Sequence, residues 1–397
     1  MIVSGNQSRM ITGRDFVVLS DHWGGLPTST MHLIRYIGPN NRVFWLNITT
    51  RMPRCEWSDA QKVARVVWSW FHEKPQQPMC GTQGLGKSTD PLVVRTPLML
   101  PWFRRAVRYI NAASISRSYS KLTAEFRITD PIIITTFPCV ADFVRNVRSS
   151  LKLYYCVDDW THYPGLNSML WETMESELLR NVDGFIATSQ DLRAKCPQSY
   201  RSLYLPHGVD FAHFHGATVQ RQTVPEMECI PKPIVGFFGV IAEWINLDVV
   251  ASLSRAFPDV SFVLIGPAAV SLASFANCAN VFHLGPRAYE HLPAYARYFD
   301  VGLIPFALNK LTKAVNPLKL FEYYALGLPV LATRLPELER ADGPLWLAVT
   351  EDEFRRELQH ALDYARSSSG EHAVQVAQGN SWEQRAQDLS DYIAGLL

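Results

Sequence analysis

Short apolar runs alternate with helical patterns along most of the chain. The runs in the first half are rich in β-branched and aromatic residues, as expected of buried strands, and lie at 16–20, 42–47, 131–137, 151–157 and 184–188. A second series lies at 234–238, 260–265, 281–284, 301–306 and 330–333. Strands that alternate with helices in this way predict an α/β protein built from doubly wound parallel sheets.

The pattern also predicts where the chain divides. Residues 216–233 are polar, contain three prolines and show no helical period, so they are interpreted as a linker between two domains. The predicted domains are residues 1–215 and 234–380. Residues 381–397 form a separate C-terminal helix that opens with Ser381, Trp382 and Glu383.

The most informative stretch is residues 316–333, NPLKLFEYYALGLPVLAT. Asn316 is expected to cap a helix, Pro317 suits the first helical position, and Gly327 with Pro329 ends the helix. The apolar run that follows is typical of a parallel buried strand. The stretch therefore predicts a helix-to-strand unit of an α/β sheet.

Lys319 and Glu322 lie three residues apart and share one turn of this helix. A helix start attracts phosphate through its free N–H groups, and Lys319 adds a positive charge. Glu322, which only accepts hydrogen bonds when ionised, suits a ribose diol. The alternative is an ordinary surface ion pair worth a few tenths of a kcal/mol.

This stretch resembles the sugar-nucleotide segment of GT-B glycosyltransferases of the family-4-like, group 1 class. The resemblance implies that Glu322 holds the nucleotide ribose and that the residues just before the helix contact the diphosphate. Asn316, Pro317 and Leu318 are accordingly predicted to bind the donor. The class pattern places a second acid eight residues before Glu322, where this chain has Ala314. The acid that usually faces the donor sugar is therefore absent.

The order of elements extends the resemblance over nearly the whole chain. It implies two Rossmann-like domains facing across a cleft, with the final helix crossing back to the first domain. Residues 203–210, LYLPHGVD, are interpreted as a strand that leads into a tight turn, and the turn is similar to the Pro-Asn-Gly-Val-Asp turn of the class, with His207 in place of Asn. Gly239 and Gly266 follow predicted strands of the second domain, where a nucleotide would lie. The cations available for a diphosphate are Arg287, Lys310, Lys313 and Lys319.

The first domain supplies candidates for acid–base chemistry. Asp158 and Asp159 follow a predicted buried strand, and His162 comes three residues later. Burial at a strand end can raise a carboxylate pKa toward neutrality, so one aspartate, with Asp159 favoured, is expected to act as the acceptor-side base with His162. The alternative is that an aspartate only caps the following helix.

A glycine loop follows the first predicted strand. His22, Gly24 and Gly25 lie where backbone N–H groups can approach an acceptor or a diphosphate, although a simple tight turn explains them equally well. Residues 81–88, GTQGLGKS, match the phosphate-loop pattern, but prolines on both sides replace the strand and helix that such a loop needs. We therefore interpret the match as accidental.

Composition narrows the function classes. The 397 residues carry a net charge of +1, which gives no overall indication of nucleic-acid binding. The seven cysteines are scattered and none is spaced as C-x-x-C, so we expect reduced thiols, no disulfide framework and no structural zinc. No apolar run is long enough to span a membrane. These features predict a cytoplasmic chain.

Residues 42–128 contain 14 Lys and Arg against 5 Asp and Glu, a local charge of +9. Arginines and aromatic residues are interleaved at 98–109, LMLPWFRRAVRY, which favours contact with anionic lipid at the inner face of a membrane or with an anionic acceptor. A solvated basic helix is the alternative explanation.

Taken together, the residues and the resemblance predict a metal-free glycosyltransferase without a cofactor. It would move a sugar from a nucleotide-sugar donor to a glycan or lipid-linked saccharide in cell-surface polysaccharide synthesis. Two alternatives stay open at this point: a nucleotide-sugar epimerase of the same fold, and a degenerate module that only binds or scaffolds.

Overall fold

The structure, a computed structural model, describes residues 10–25, 27–49, 90–100, 102–197, 200–220 and 222–397. It divides into two compact units. The first unit comprises residues up to Leu205 together with Ala386–Leu397, and the second comprises Pro206–Arg385. The phosphate-loop match at 81–88 lies outside the described residues.

Within the described part of the first unit, seven parallel strands form one sheet. In chain order they are β1 (Asp15–Ser20), β2 (Arg42–Asn47), β3 (Val93–Arg95), β4 (Ile132–Thr135), β5 (Leu151–Cys156), β6 (Gly184–Ala187) and β7 (Ser202–Tyr204). The spatial order is β3-β2-β1-β4-β5-β6-β7. From β1 the chain adds β2 and β3 on one side, and then β4 to β7 on the other side. The boundary between β1 and β4 is therefore a switch point, where α/β sheets bind ligands.

The helices of the first unit connect these strands. They are α1 (Ser29–Ile37), α2 (Arg105–Phe126), α3 (Ala141–Asn146), α4 (Ser168–Leu179) and α5 (Gln190–Arg193). Each strand of the central group β1, β4 and β5 is almost fully buried, and Phe16, Val17 and Val18 are completely inaccessible. Burial on both faces explains why these strands are continuous apolar runs rather than alternating ones.

The second unit contains a six-stranded parallel sheet in its described residues. Its strands are β8 (Ile234–Phe238), β9 (Ser261–Ile265), β10 (Val281–Gly285), β11 (Val301–Ile304), β12 (Val330–Thr333) and β13 (Leu345–Ala348). The order β10-β9-β8-β11-β12-β13 places the switch point between β8 and β11. Alternate residues of β8 pack into separate cores, Ile234 and Phe238 into one and Val235 into another.

The helices of the second unit include two near its start. In chain order the helices are α6 (Phe211–Gln220), α7 (Pro225–Glu228), α8 (Leu247–Ala256), α9 (Leu292–Ala296), α10 (Lys310–Lys313), α11 (Lys319–Ala325), α12 (Glu351–Ser367), α13 (Glu371–Gly379) and α14 (Trp382–Ala394). The last helix begins in the second unit, and from Ala386 onward its residues belong to the first.

The prediction of an irregular linker at 216–233 is wrong. The chain passes between the units at Leu205 and Pro206, and the predicted linker lies inside the second unit. It contains the end of α6 and all of α7, and Val224, Met227 and Ile230 are buried in the second unit's core. These three apolar residues are spaced by three, which was a helical signal that the prolines obscured.

The predicted strands agree closely with the structure, and β2, β8 and β12 have the predicted bounds. The sequence reasoning missed β3 and β13. Both lie at a sheet edge and are only partly buried, so they lack the continuous apolar run that identifies a central strand.

Candidate functional site

The centre of the candidate site in the second unit is the pair formed by Lys319 and Glu322. Lys319 Nζ donates to Glu322 Oε2 at 2.7 Å, and Glu322 is only 2% exposed. Lys319 Nζ also lies 4.7 Å from the centre of the Phe238 ring, a cation–π contact at the end of β8. The pair is therefore a half-buried feature of the sheet's carboxyl edge and not a solvated surface pair.

The buried environment of Glu322 disfavours the ionised form of its carboxyl group. Burial raises the pKa of Glu322, and the charge and hydrogen bond of Lys319 oppose that rise. A buried carboxylate with a single cation as partner retains unused acceptor capacity. It can accept hydrogen bonds from hydroxyl groups of a ligand placed beside it.

Two glycines bring strand ends close to this pair. A Cβ on Gly239 would lie 3.4 Å from Lys319 Cε, and a Cβ on Gly266 would lie only 1.8 Å from the Gly239 carbonyl oxygen. Both residues have a φ near +145°, which L side chains rarely adopt. The structure thus places both predicted glycines at the switch-point edge, with Gly239 directly beside Lys319.

Asn316 does not cap the helix, so that part of the prediction is wrong. The helix begins at Lys319, and Leu318 precedes it without a side-chain cap. Asn316 Oδ1 instead accepts a hydrogen bond from His207 N at 3.1 Å, and Asn316 Nδ2 donates to Glu337 Oε2 at 3.3 Å. Pro317 supplies the carbonyl of the first turn, accepting from Leu320 N at 3.2 Å.

His207 belongs to the same neighbourhood, a placement that the sequence did not predict. Its backbone is held by Asn316, its carbonyl accepts from Arg385 Nε at 3.5 Å, and its ring meets Trp382 edge-on. Burial lowers the pKa of His207 to about 4, and the charges of Arg385 and Lys319 act in the same direction. His207 is therefore neutral at physiological pH.

Two cations that were predicted to meet a diphosphate have different surroundings. Arg287 donates to both oxygens of Glu226, at 2.8 and 2.9 Å, and stacks on Tyr295. Its charge is already balanced, which counts against the predicted role. Lys313 is exposed at the end of α10, and Ala314, at the position of the missing acid, is buried.

The candidate acid–base residues lie at the carboxyl edge of the first unit's sheet. Asp158 lies just after β5 and is only partly exposed. Burial, together with the negative charges of Asp21 and Asp159, raises the pKa of Asp158 to about 7. Among the residues that the structure describes, no group donates a hydrogen bond to its carboxylate.

Asp159 has the opposite environment, although it is adjacent. It is buried, and its carboxylate accepts hydrogen bonds from Lys195 Nζ at 2.6 Å, from Thr161 Oγ1 at 2.6 Å and from His162 Nδ1 at 2.8 Å. Burial alone would raise the pKa of Asp159, but these hydrogen bonds outweigh it and lower the pKa. Asp159 also caps the 3-10 turn Trp160–His162, which was the alternative explanation for one aspartate.

Lys195 and Glu175 complete this cluster and were missed by the sequence reasoning. Lys195 Nζ donates to Glu175 Oε2 at 3.0 Å, and Glu175 Oε1 accepts from Tyr154 Oη at 2.7 Å. Their separation along the chain leaves no local signal that could have identified them.

The predicted glycine loop after β1 is an ordered turn. Gly25 N donates to His22 O at 3.1 Å, and Gly24 has a φ of +86°. Trp23 N donates to Asn47 Oδ1 at 2.9 Å, which fixes the loop to the end of β2. His22, Gly24 and Gly25 are exposed, so the loop's surface is open to a ligand.

The described residues contain no group of three or more His, Cys, Asp or Glu side chains arranged to hold a metal ion. They also contain no helix that is both long and apolar enough to cross a membrane.

The sequence matches a known family in its second unit. Residues 232–364 match the family described as glycosyl transferases group 1. The chain is also 32% identical over 115 residues to a protein of Bacillus subtilis strain 168 that is named putative teichuronic acid biosynthesis glycosyltransferase TuaH. That alignment covers 28% of this chain and 29% of TuaH.

Solved structures resemble the chain over nearly its full length. HepE of Anabaena, solved in complex with UDP and glucose, has a TM-score of 0.65 at 13% identity, covering 95% of this chain and 99% of HepE. Sucrose-phosphate synthase of Thermosynechococcus elongatus has a TM-score of 0.68 at 15% identity, covering 97% of this chain and 99% of that enzyme. At such low identity these likenesses show the fold, and the predicted α/β fold is confirmed.

Proposed function

We propose that this protein is a glycosyltransferase using a nucleotide-sugar donor, because residues 232–364 match the glycosyl transferases group 1 family and the chain has the fold of the solved GT-B structures. The observation that carries the proposal is the Lys319–Glu322 pair at the switch-point edge of the second sheet. Its chemistry suits a nucleoside diphosphate, since it combines a cation for phosphate with a buried carboxylate for a ribose diol.

In this proposal Glu322 accepts hydrogen bonds from the ribose hydroxyls and Lys319 stabilises the departing diphosphate. One well-placed donor of this kind lowers a leaving-group barrier by about 2 to 4 kcal/mol. Gly239 and Gly266 keep side chains away from the same edge, so the donor phosphates can approach the backbone. The helix α11 has only seven residues, so Lys319 supplies more of the positive potential than the helix start does.

The donor is proposed to be a UDP-sugar, because neighbouring folds include HepE structures solved with UDP and with UDP-glucose. Isothermal titration with UDP, GDP and TDP tests this choice. Glu322→Gln removes the charge but keeps the shape, and it should weaken nucleotide binding by about 1–3 kcal/mol. Glu339→Gln is the matched control, because Glu339 lies in the same unit and forms an exposed ion pair with Arg334.

The same titrations can reject the donor site. If Glu322→Gln binds all three nucleotides as the wild type does, Glu322 does not hold the ribose. A labelled UDP-sugar incubated with and without cell-envelope extract then separates the activities. Product that forms only with the extract supports transfer, acceptor-independent conversion indicates an epimerase, and tight binding without conversion indicates a binding module.

The acceptor is proposed to be a glycan or lipid-linked saccharide of the cell surface. Support comes from the name of TuaH, which refers to teichuronic acid biosynthesis. The alignment with TuaH covers only part of either chain. A second support is a surface of the first unit, here called the α2 patch, in which large apolar side chains lie beside arginines. Its members are Leu98, Trp102, Arg104, Arg105, Tyr109 and Ile110, all of which are exposed.

The structure corrects the expected charge of this patch. Arg108 is not a free surface cation, because it is mostly buried and paired with Asp142 at 2.8 Å and with Glu177. Arg104 and Arg105 remain, on a segment with no Asp or Glu between residues 91 and 124. Exposed aromatic residues next to unbalanced arginines suit an anionic lipid surface.

Sedimentation with liposomes tests the membrane contact. Arg104→Glu with Arg105→Glu should reduce binding to anionic liposomes at low salt, since each cation contributes about 1 kcal/mol near such a surface. Arg255→Glu with Arg356→Glu is the control, because both residues are exposed cations of the second unit. If the wild type does not sediment with the liposomes, the α2 patch does not bind a membrane, and a soluble acceptor is the remaining proposal for this face.

A further inference from the structure

Three loops at the carboxyl edge of the first unit's sheet are tied together by side-chain hydrogen bonds. Ser20 Oγ, at the end of β1, lies 2.9 Å from Thr136 Oγ1, in the loop after β4. Trp160 Nε1, in the loop after β5, donates to the Thr136 carbonyl oxygen at 3.1 Å. The switch point between β1 and β4 is therefore bordered by loops with fixed positions, and a preorganised edge of this kind suits ligand binding.

Trp23 lies in the first of these loops and is held from two sides. Its backbone N donates to Asn47 Oδ1 at 2.9 Å, and its ring meets the fully buried Trp45 edge-on, with 4.8 Å between the ring centres. Trp23 itself is partly exposed, and no described residue forms a hydrogen bond with its Nε1. The indole therefore offers an apolar surface and an N–H donor to a ligand.

Asp158, in the loop after β5, brings hydrogen-bond acceptors to the same edge. It is partly exposed, and among the residues that the structure describes none donates a hydrogen bond to its carboxylate. The carboxylate of its neighbour Asp159, in contrast, is occupied by Lys195, Thr161 and His162. Asp158 is therefore the aspartate that can accept hydrogen bonds from the hydroxyl groups of a ligand.

Trp23 and Asp158 are close enough to contact one small ligand. Trp45 Nε1 donates to the Asp21 carbonyl oxygen at 2.8 Å, so Asp21 lies beside the two tryptophans. The charge of Asp21 in turn acts on Asp158. The ends of β1 and β5, with β4 between them, are about 10 Å apart, because neighbouring strands are about 4.8 Å apart. A single sugar ring with its hydroxyl groups can bridge this distance.

The charges around Asp158 restrict which ligands fit. The negative charges of Asp21 and Asp159 both raise the pKa of Asp158, which means that they disfavour its ionised form. A carboxylate or phosphate of a ligand placed here would add another like charge. A hydroxyl or ammonium group would instead donate a hydrogen bond to Asp158. The edge therefore favours a ligand without negative charge.

We propose that this edge of the first unit, here called the Trp23–Asp158 site, binds a sugar ring that carries no negative charge. Trp23 packs against the apolar face of the ring, and Asp158 accepts hydrogen bonds from its hydroxyl groups. The inference rests on the proposed transferase function and deepens it, because it names the acceptor unit as a neutral or amino sugar. Uronic acids and sugar phosphates are excluded from this site by their charge.

Saturation-transfer NMR with the full chain and no donor tests this site. The probes are glucose and galactose, their 2-amino forms, and the two matching uronic acids. At least one neutral or amino sugar should bind, and its uronic acid should bind about tenfold more weakly, since one added like charge costs on the order of 1 kcal/mol or more. Uronic acids that bind as well as their neutral forms, or no binding by any of these sugars, would overturn the proposal.

Two substitutions of Trp23 test the packing against the ring. Trp23→Ala should weaken sugar binding by about tenfold, and Trp23→Phe, which keeps an aromatic face but loses the N–H, should weaken it less. Trp102→Ala is the matched control, because Trp102 is a 46% exposed tryptophan of the same unit. Urea unfolding shows whether Trp23→Ala is folded, and if it is not, weaker binding by Trp23→Phe decides. Unchanged affinity in the folded Trp23 variants rejects the site.

Asp158→Asn tests the selection by charge. The amide keeps an acceptor oxygen, so neutral sugars should bind within about threefold of the wild-type affinity, whereas uronic acids should gain about tenfold. Asp191→Asn, which alters an exposed aspartate of the same unit, should leave both affinities unchanged. If Asp158→Asn discriminates against uronic acids as strongly as the wild type, Asp158 does not select the ligand.

Failure of this inference can be distinguished from failure of the proposed function. The sugar titrations contain no nucleotide, and the UDP titrations of Glu322→Gln contain no acceptor sugar. If UDP binds as proposed and no sugar binds, only the Trp23–Asp158 site fails. If sugars bind as expected and no nucleotide does, the donor assignment fails, and the Trp23–Asp158 site remains as a sugar-binding site without its place in the transfer.

Discussion

Adjacent residues can have opposite electrostatic roles, as Asp158 and Asp159 do at the end of β5. Successive side chains at a strand end point in different directions, so one reaches the Lys195 cluster and the other does not. Asp159 is stabilised as a carboxylate, whereas Asp158 is destabilised as one. A residue that lowers stability in its charged form is a candidate for function rather than for structure.

Asp158 should make the stability of the protein depend on pH. The unfolded chain releases this proton near pH 3.8, but the folded protein holds it up to about pH 7. Between these values the unfolded state binds fewer protons, so the contribution of Asp158 to stability is lost as pH rises. Between pH 5 and pH 8, the free energy of unfolding of Asp158→Asn should therefore rise by about 2 kcal/mol relative to that of the wild type.

Urea unfolding at the two pH values measures this difference. Asp259→Asn, which alters an exposed aspartate of the second unit, serves as the control and should show no such trend. A constant difference between Asp158→Asn and the wild type would mean that Asp158 is already ionised in the folded protein at pH 5.

At the scale of the elements, two glycines show how context decides the effect of one methyl group. Gly266 ends β9 with a φ of +148°, and an added Cβ would lie 1.8 Å from the Gly239 carbonyl oxygen. Gly216 lies within helix α6, and an added Cβ would meet no atom within 4 Å. A glycine is required at position 266 because two strand ends approach closely there. At position 216 a glycine only adds flexibility to the unfolded chain.

The two alanine variants should change stability in opposite directions. Gly266→Ala should destabilise the protein by at least about 2 kcal/mol, through its backbone strain and the clash with Gly239. Gly216→Ala should stabilise it by about 0.5–1 kcal/mol. Equilibrium unfolding in urea measures both, and equal effects would show that the strand ends can separate without cost.

At the scale of the whole molecule, each unit has its own sheet and core, but the first unit is not continuous in sequence. Its last segment, Ala386–Leu397, follows the entire second unit. Leu389 and Ile393 are buried there, and Tyr392 Oη accepts a hydrogen bond from Phe185 N at 3.0 Å. The C-terminal residues are therefore part of the first unit's core.

Cavity formation in that core should affect one unit. Ile393→Ala should cost about 2–5 kcal/mol and lower the amide-exchange protection of β6, because its buried side chain is fully inaccessible. Leu358→Ala is the matched variant in the second unit's core and should lower protection there instead. Equal losses in both units after Ile393→Ala would contradict a separate core for each.

The sequence by itself determined the central strands and their order along the chain. Central parallel strands are buried on both faces, so each is a continuous apolar run that can be recognised without its neighbours. The edge strands β3 and β13 are only partly buried and lack such a run, so they were not recognised from the sequence. The Lys319–Glu322 pair was also accessible, since its two members are one helical turn apart.

Only the tertiary structure decided what the other polar residues do. The partner of Asn316 is His207, 109 residues away, that of Arg287 is Glu226, 61 residues away, and that of Asp159 is Lys195, 36 residues away. A polar side chain takes its role from the group that satisfies it, and that group is set by how the elements pack. Local spacing therefore predicted where these side chains lie on the sheet, while folding determined which remain open to a ligand.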